Sequence, residues 1–360
     1  MDLFGDLPEP GHQSNSVENK ECNNEEKQTK TTNGAATKRK ATHSSADEVS
    51  ATAAKQRQSI NYYLKGYVRE MKGERDEMQD AHIVLDGFAT EFDDLHPSVC
   101  RLAVYGVFDG HGGSRAACFA SKHLYKNLRT VFPKGDIKQV EKEIKRSFIE
   151  AYKQTDRDYL TVAAKNKPAW KDGSTATVVL AINDTLYISN LGDSKAILCR
   201  YKENTQQYVA VPLTTEHHPT VYEERMRIQK AGGHVKDGRV MGTLEISRSL
   251  GDGQYKNHGV ICVPDVRKCQ LTDNDRFFII ACDGLWKSLT PEECIQFVCN
   301  VLEDKSIEGN GTKGTEEMRY EAACQRLVNE AILRLTADNV TVVLVSISHF
   351  TKFNSNFCCP

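Results

Sequence analysis

Three short apolar runs, each set against an aspartate, constrain this chain more than any other feature. Residues 104–108 run into Asp109-Gly110, residues 277–282 run into Asp283-Gly284, and Asp338-Asn339 leads into residues 340–345. The runs are strand-sized and far too short to cross a bilayer. A carboxylate at the rim of a buried strand is held rigidly, and a neighbouring glycine lets backbone carbonyls approach a ligand closely. Taken singly, each aspartate reads as a turn former, because Asp-Gly favours tight turns. Three converging carboxylates would instead form a hard-oxygen site for Mg²⁺ or Mn²⁺, not a Zn²⁺ site of Cys and His. The upstream segment Arg75-Asp76-Glu77-Met78-Gln79-Asp80-Ala81-His82 adds acids and histidine of the same character.

Composition narrows the class further. The 360 residues carry 47 Lys+Arg against 49 Asp+Glu, a net charge of −2, which excludes a generally basic nucleic-acid binder. Twelve cysteines without any CxxC pairing are too sparse for a disulfide framework. Cys199, Cys262, Cys282 and Cys299 read as buried thiols of a reduced compartment. The opening Met1-Asp2-Leu3-Phe4-Gly5-Asp6 has neither the basic nor the apolar region of a secretory signal, so an intracellular, cytoplasmic protein is expected.

Between Phe4 and Tyr62 there is no aromatic residue, while Lys, Glu, Thr, Ser and Asn dominate. Such a stretch cannot offset its ordering entropy, so residues 1–60 are expected to be disordered. Within it Lys38-Arg39-Lys40 reads either as a nuclear-localisation signal or as solvated charge. Asp2-Leu3-Phe4-Gly5-Asp6-Leu7-Pro8 mixes acids with large apolar residues as docking peptides do, or is a frayed end. Residues 61–348 read as a globular domain, followed by a short tail over 349–360.

Inside the domain, strands are expected over residues 102–108, 175–182, 186–190, 196–201, 276–282 and 339–347. Helices are expected over 138–160 and 221–231, the latter stopping at Gly232-Gly233. A third begins at the capping box Thr290-Pro291-Glu292-Glu293, and a last one spans 316–335. Strands and helices come in blocks, which favours an α+β layered fold with antiparallel sheets.

Seven ordered motifs now converge. Residues 73–82, Asp109-Gly110-His111-Gly112-Gly113, Asp172-Gly173-Ser174-Thr175-Ala176, Leu191-Gly192-Asp193-Ser194, Ser247-Arg248-Ser249-Leu250-Gly251-Asp252, Ala281-Cys282-Asp283-Gly284 and Ala337-Asp338-Asn339-Val340 follow the order of the metal-dependent, type 2C protein serine/threonine phosphatases, which the chain resembles over residues 66–347. Residues 1–10, Lys167-Pro168-Ala169-Trp170 and residues 223–233 carry a closer likeness to one member of that family.

The resemblance implies two antiparallel β-sheets in a sandwich flanked by α-helices, with two ions of Mg²⁺ or Mn²⁺ at the sandwich end. Asp109 would bridge both ions, the Gly110 carbonyl would bind one, Asp283 and Asp338 would complete the other's shell, and Asp80 would reach the site through a water. A hydroxide bridging the two ions would attack phosphorus in phosphoserine or phosphothreonine, so no protein nucleophile is needed. Arg75 would bind phosphate, its alternative being a surface ion pair. His111 would protonate the leaving oxygen, its alternative being a structural role, and His82 would either assist or serve the core.

Two departures from the family pattern stand out. Gln79 replaces a usual Glu, which implies modestly weaker metal binding. Lys287 stands where many relatives carry an Asp for an additional ion, and is expected to pair with Asp193 instead, its alternative being to turn into solvent while Asp193 caps a turn. Residues 216–242 would form a flap beside the cleft. The expected partners are phosphorylated protein substrates and a kinase-associated complex, with no nucleic acid, no membrane and a monomeric chain. A phosphatase-like scaffold without turnover and a two-metal nuclease are the competing classes; the first is opposed by the presence of Asp109, Asp283 and Asp338, the second by the lack of a basic, aromatic-interleaved groove.

Overall fold

A strand buried on one face alternates apolar and polar residues, whereas a strand buried on both faces is apolar throughout. The central strands of this protein are of the second kind, and a computed structural model describing residues 61–349 shows why. Along the chain, β1 (Tyr62–Met71) and β2 (Ala81–Leu85) precede β3 (Leu102–Phe108) and the two-residue β4 (Gly110–His111). Helices α1 (Arg115–Thr130) and α2 (Ile137–Lys165) follow, then β5 (Gly173–Ser174), β6 (Ala176–Ile182), β7 (Thr185–Leu191), β8 (Lys195–Lys202) and β9 (Gln207–Pro212). Next come α3 (Tyr222–Lys230), β10 (Val235–Lys236), β11 (Arg239–Val240), β12 (Leu250–Gly251), α4 (Gly253–Lys256), β13 (Asp265–Gln270) and β14 (Asp275–Ala281). The chain continues through α5 (Asp283–Trp286), α6 (Pro291–Leu302) and α7 (Thr315–Leu333) to β15 (Val340–His349).

Two antiparallel five-stranded sheets, ordered β1-β15-β14-β8-β9 and β13-β7-β6-β3-β2, stack face to face. Strand alternation sorts each side chain between layers. Phe278, Ile280 and Cys282 enter the core between the sheets with Tyr105, Val107 and Val343, while Phe277, Ile279 and Ala281 pack outward among residues of α6 and α7. On the other side, Leu102, Val104 and Phe108 meet Leu124 and Leu128 of α1 and Val140, Ile144 and Phe148 of α2. The expected sandwich flanked by helices is the observed architecture.

Local signals also hold. Thr290 and Glu293 cap α6 reciprocally, and α3 closes at Gly232, whose φ of 80° is a left-handed stop. Cys199, Cys282 and Cys299 are buried as expected, whereas Cys262 is only half-buried. Among the described residues no helix is long and apolar enough to cross a membrane. The expectations for residues 1–60, including Lys38-Arg39-Lys40, and for residues 350–360 lie outside the described residues.

Candidate metal centre and cleft

Antiparallel pairing brings alternate strand ends to one edge of the sandwich, and five aspartates sit there. Asp109 follows β3, Asp80 precedes β2, Asp283 opens α5 just after β14, Asp338 precedes β15 and Asp193 lies in the turn after β7. The partnered ends are fixed by register: Ala81 faces Phe108, and Ala281 faces Val342. Ligand atoms of Asp80, Asp109 and Cys282 lie within 4.8 Å of one another, and so do those of Asp109, Asp193 and Asp283. Asp109 belongs to both groups. A cleft of about 740 Å³ opens over them, lined by Arg75, Gly110, His111, Asp193, Asp283 and Asp338 among others.

Each carboxylate has a local reason for its place. The Asp109 amide donates to Thr175 Oγ1 at 3.0 Å, and the Thr175 amide donates back to the Asp109 carbonyl at 2.9 Å. Asp80 Oδ2 accepts from Thr341 Oγ1 at 2.7 Å from behind the cleft lining. Asn339 ties the arginine loop down: its Oδ1 accepts from the Gln79 amide at 2.8 Å, and its Nδ2 donates to the carbonyls of Lys72 and Glu77 at 2.7 and 3.1 Å. Gly284 has to be glycine here, because a Cβ would collide with the Asn339 carbonyl.

Crowding of like charge in a buried place disfavours ionisation. Burial, and then the neighbouring Asp338 and Asp283, push Asp80 up to about 6. Burial with the Asp283 charge likewise pushes Asp193 up to about 6. Asp109 is raised well above the carboxylate range by burial and by Asp80, Asp283, Asp193 and Asp338. Burial raises Asp283 despite its contact with Lys287. This all-oxygen set, short of positive charge, fits a hard divalent cation. The adjacent Cys282 is no competing soft ligand: burial holds its thiol protonated, and its Sγ accepts from the Thr341 amide at 3.1 Å.

The expected residues divide as follows. Asp80, Asp109, Gly110, Asp283 and Asp338 come together at the cleft. Arg75 lines it, with Nη2 3.0 Å from Asp338 Oδ2 and Nε 3.2 Å from the Ala337 carbonyl. His111 lines it too, and its Nε2 meets Asp252 Oδ2 at 2.7 Å. His82 does not. Two strand positions into β2, it bonds Glu70 Oε2 at 2.9 Å and is absent from the cleft wall. The expected Lys287–Asp193 pair is also corrected: Lys287 Nζ sits 2.6 Å from Asp283 Oδ2 and 3.2 Å from Asp338 Oδ2. Asp283 and Lys287 are four apart on one helical turn, which stacks them.

Sequence reasoning gave no role to Asn339, Thr175 or Asp252. The contacts that place them at the site, Thr175 with Asp109, Asp252 with His111 and Asn339 with Lys72, span 66, 141 and 267 residues in sequence, so no local pattern announces them. Of the expected flap, 216–242, only Arg239 lines the cleft; the wall continues just beyond it through Thr243, Leu244, Glu245 and Ile246. Its helix α3 is anchored by Glu224, which accepts from Arg227 at 2.8 Å and from Arg248 at 2.7 Å. Burial opposes its charge, but these partners win and hold Glu224 down at about 2.

Comparison with known proteins follows the same outline. Residues 64–340 match the profile of the family described as protein phosphatase 2C. Integrin-linked kinase-associated serine/threonine phosphatase 2C of Bos taurus is 50% identical over 368 residues, covering 96% of this chain and 100% of that one. Its Homo sapiens counterpart is 56% identical over 291 residues, covering 81% of this chain and 74% of that one. Among solved structures, a serine-threonine phosphatase 2C from Toxoplasma gondii superimposes with a TM-score of 0.64 at 19% identity, covering 79% of this chain and 95% of that one.

Proposed function

The chain belongs to the protein phosphatase 2C family, and on that premise we propose how its cleft works. The protein is a metal-dependent protein serine/threonine phosphatase, a hydrolase whose substrates are phosphoproteins. The observation that carries this reading is the convergence of Asp80, Asp109, Asp193, Asp283 and Asp338 from separate strand ends under one cleft.

Asp109, the Gly110 carbonyl, Asp283 and Asp338 would hold two ions of Mg²⁺ or Mn²⁺, with Asp80 supporting them. Bound there, the ions would supply an activated water for attack on phosphorus and offset the phosphoryl charge. Arg75 engages the phosphate oxygens: two of its nitrogens are held by Ala337 and Asp338, which fixes the guanidinium plane at the cleft wall. As the P–O ester bond breaks, His111 gives its proton to the departing seryl or threonyl oxygen. No cysteine is required as nucleophile, and the buried, protonated Cys282 is unsuited to the part.

Asp109→Ala or Asp283→Ala should abolish turnover of a phosphothreonine peptide while circular dichroism stays native. Retained turnover in either variant would overturn the reading.

We further propose that the protein works in signalling within a kinase-associated complex and is found in the nucleus as well as the cytoplasm. This part rests on the names of its relatives and on Lys38-Arg39-Lys40. Changing those three residues to Ala should empty the nucleus of the protein; an unchanged distribution would make them plain solvated charge.

A further inference from the structure

A small third sheet lies beside the metal centre, ordered β12-β5-β4. Its middle strand is the key. Gly173 of β5 pairs with His111 on one side and with Gly251 on the other. Any side chain at 173 would run into both the His111 ring and the Asp252 carboxylate. The missing Cβ is therefore the gap through which the side chains of His111 in β4 and of Asp252, just after β12, touch, with His111 Nε2 2.7 Å from Asp252 Oδ2.

Asp252 is fixed rather than incidental. Its side chain is 2% exposed, against 32% for His111. Its backbone is left-handed, with φ 51°, a conformation that aspartate tolerates better than most residues. The Asp252 amide donates to the Asp172 carbonyl at 3.1 Å, and its own carbonyl accepts from the Tyr255 amide at 2.8 Å. Next to it the Gly251 amide donates to Asp156 Oδ1 at 2.7 Å. Asp172 in turn holds Arg115 Nε at 2.7 Å. An aspartate whose backbone is clamped this firmly accepts Nε2–H, which sets the ring plane; Nδ1 is then the nitrogen left to donate, and it carries a proton in the imidazolium form that the Asp252 charge favours.

We propose that Asp252 is a positioning residue for His111, locking the imidazole across the Gly173 gap so that Nδ1 meets the leaving-group oxygen. The proposal rests on the reading of His111 as proton donor, and the experiment separates the two. Turnover would be measured for Asp252→Gly, Asp252→Asn, His111→Gln and the Asp252→Gly/His111→Gln double variant, on a phosphothreonine peptide and on p-nitrophenyl phosphate. Glycine accepts the left-handed backbone, and asparagine keeps an acceptor oxygen.

Asp252→Gly should lower kcat on the peptide about 10²-fold, close to the loss in His111→Gln, with KM little changed. The loss on the aryl substrate, whose leaving group needs no proton, should be at least about tenfold smaller. Asp252→Asn should recover most of the deficit, and the double variant should be no slower than His111→Gln alone. Equal loss on both substrates in His111→Gln would overturn the proton-donor reading and the proposal with it. Leaving-group dependence in His111→Gln but not in Asp252→Gly, or additive losses in the double variant, would overturn the positioning role alone. So would a changed Mn²⁺ affinity of Asp252→Gly in calorimetry, which would assign Asp252 to the metal site.

Discussion

Lys287 offers the sharpest perturbation of the metal centre. Its ammonium lies 2.6 Å from Asp283 and 3.2 Å from Asp338, so it spans two of the carboxylates that would ligate a cation. Lys287→Met removes the charge and keeps an unbranched side chain. In the metal-free protein the lost ion pairs cost little: the lysine is half exposed, and such pairs are worth roughly 0–1 kcal/mol. Against a divalent ion the sign reverses. An ammonium about 5 Å from a doubly charged ion in water-like surroundings repels it by roughly 1.5–2 kcal/mol. Removing it should tighten Mn²⁺ binding about 12- to 30-fold. Isothermal calorimetry gives the affinity, and thermal unfolding in EDTA gives the metal-free cost, expected to be no more than about 4 °C. Unchanged or weaker Mn²⁺ binding would refute the competition between this lysine and the ion.

Three further outcomes follow from the same geometry. Asp80 and Asp193 are raised by burial to about 6, so the folded metal-free protein keeps protons that the unfolded chain releases; the stability each contributes is fully present below the unfolded value and is lost as pH rises through about 6, by on the order of 3 kcal/mol for one such carboxyl. Calorimetry in EDTA should show the midpoint falling between about pH 4.5 and 7, and Mn²⁺ should raise it more at pH 7.5 than at 5.5; a flat profile would contradict the charge crowding. Arg75→Ala should chiefly raise KM for a phosphopeptide, with a loss in kcat/KM of about 10–100-fold from the missing charged hydrogen bonds, and a pure kcat effect would argue against phosphate contact. Phe278→Ala empties a fully buried site between the sheets and should cost about 3–5 kcal/mol in urea unfolding, whereas a cost under about 1 kcal/mol would mean that this core is not packed as described.

The legible parts of this fold are those where burial on both faces left no choice of residue. The expected strand at 102–108 coincides with β3, and 276–282 lies within one residue of β14, because every position there meets either a helix or the opposite sheet. The edge strands were not expected. β13 reads Asp-Val-Arg-Lys-Cys-Gln and is largely open to solvent, so its pairing with β7 leaves no apolar signature. β1 mixes Lys, Arg and Glu into a strand held by ten paired positions on β15, which is a tertiary cause. Helix α1 lacks a side-chain cap, so nothing announced its start.

At the site, the strand-end aspartates were visible because backbone runs aimed them. Two assignments depended on contacts the sequence does not contain. His82, expected either to assist catalysis or to serve the core, does neither: it bonds Glu70 at a half-exposed position away from the cleft wall. Asp252 was visible only as part of a motif, since its partner His111 lies 141 residues away.

The most direct test of the metal-dependent reading follows bound Mn²⁺ and phosphate release in one titration. Metal-free protein with a phosphothreonine peptide would be titrated with Mn²⁺, the bound ion read by electron paramagnetic resonance and the phosphate by a coupled assay. Turnover should be absent at zero metal and rise in step with occupancy of the Asp109–Asp283–Asp338 cleft. Phosphate release at full rate before any ion is bound would contradict the account.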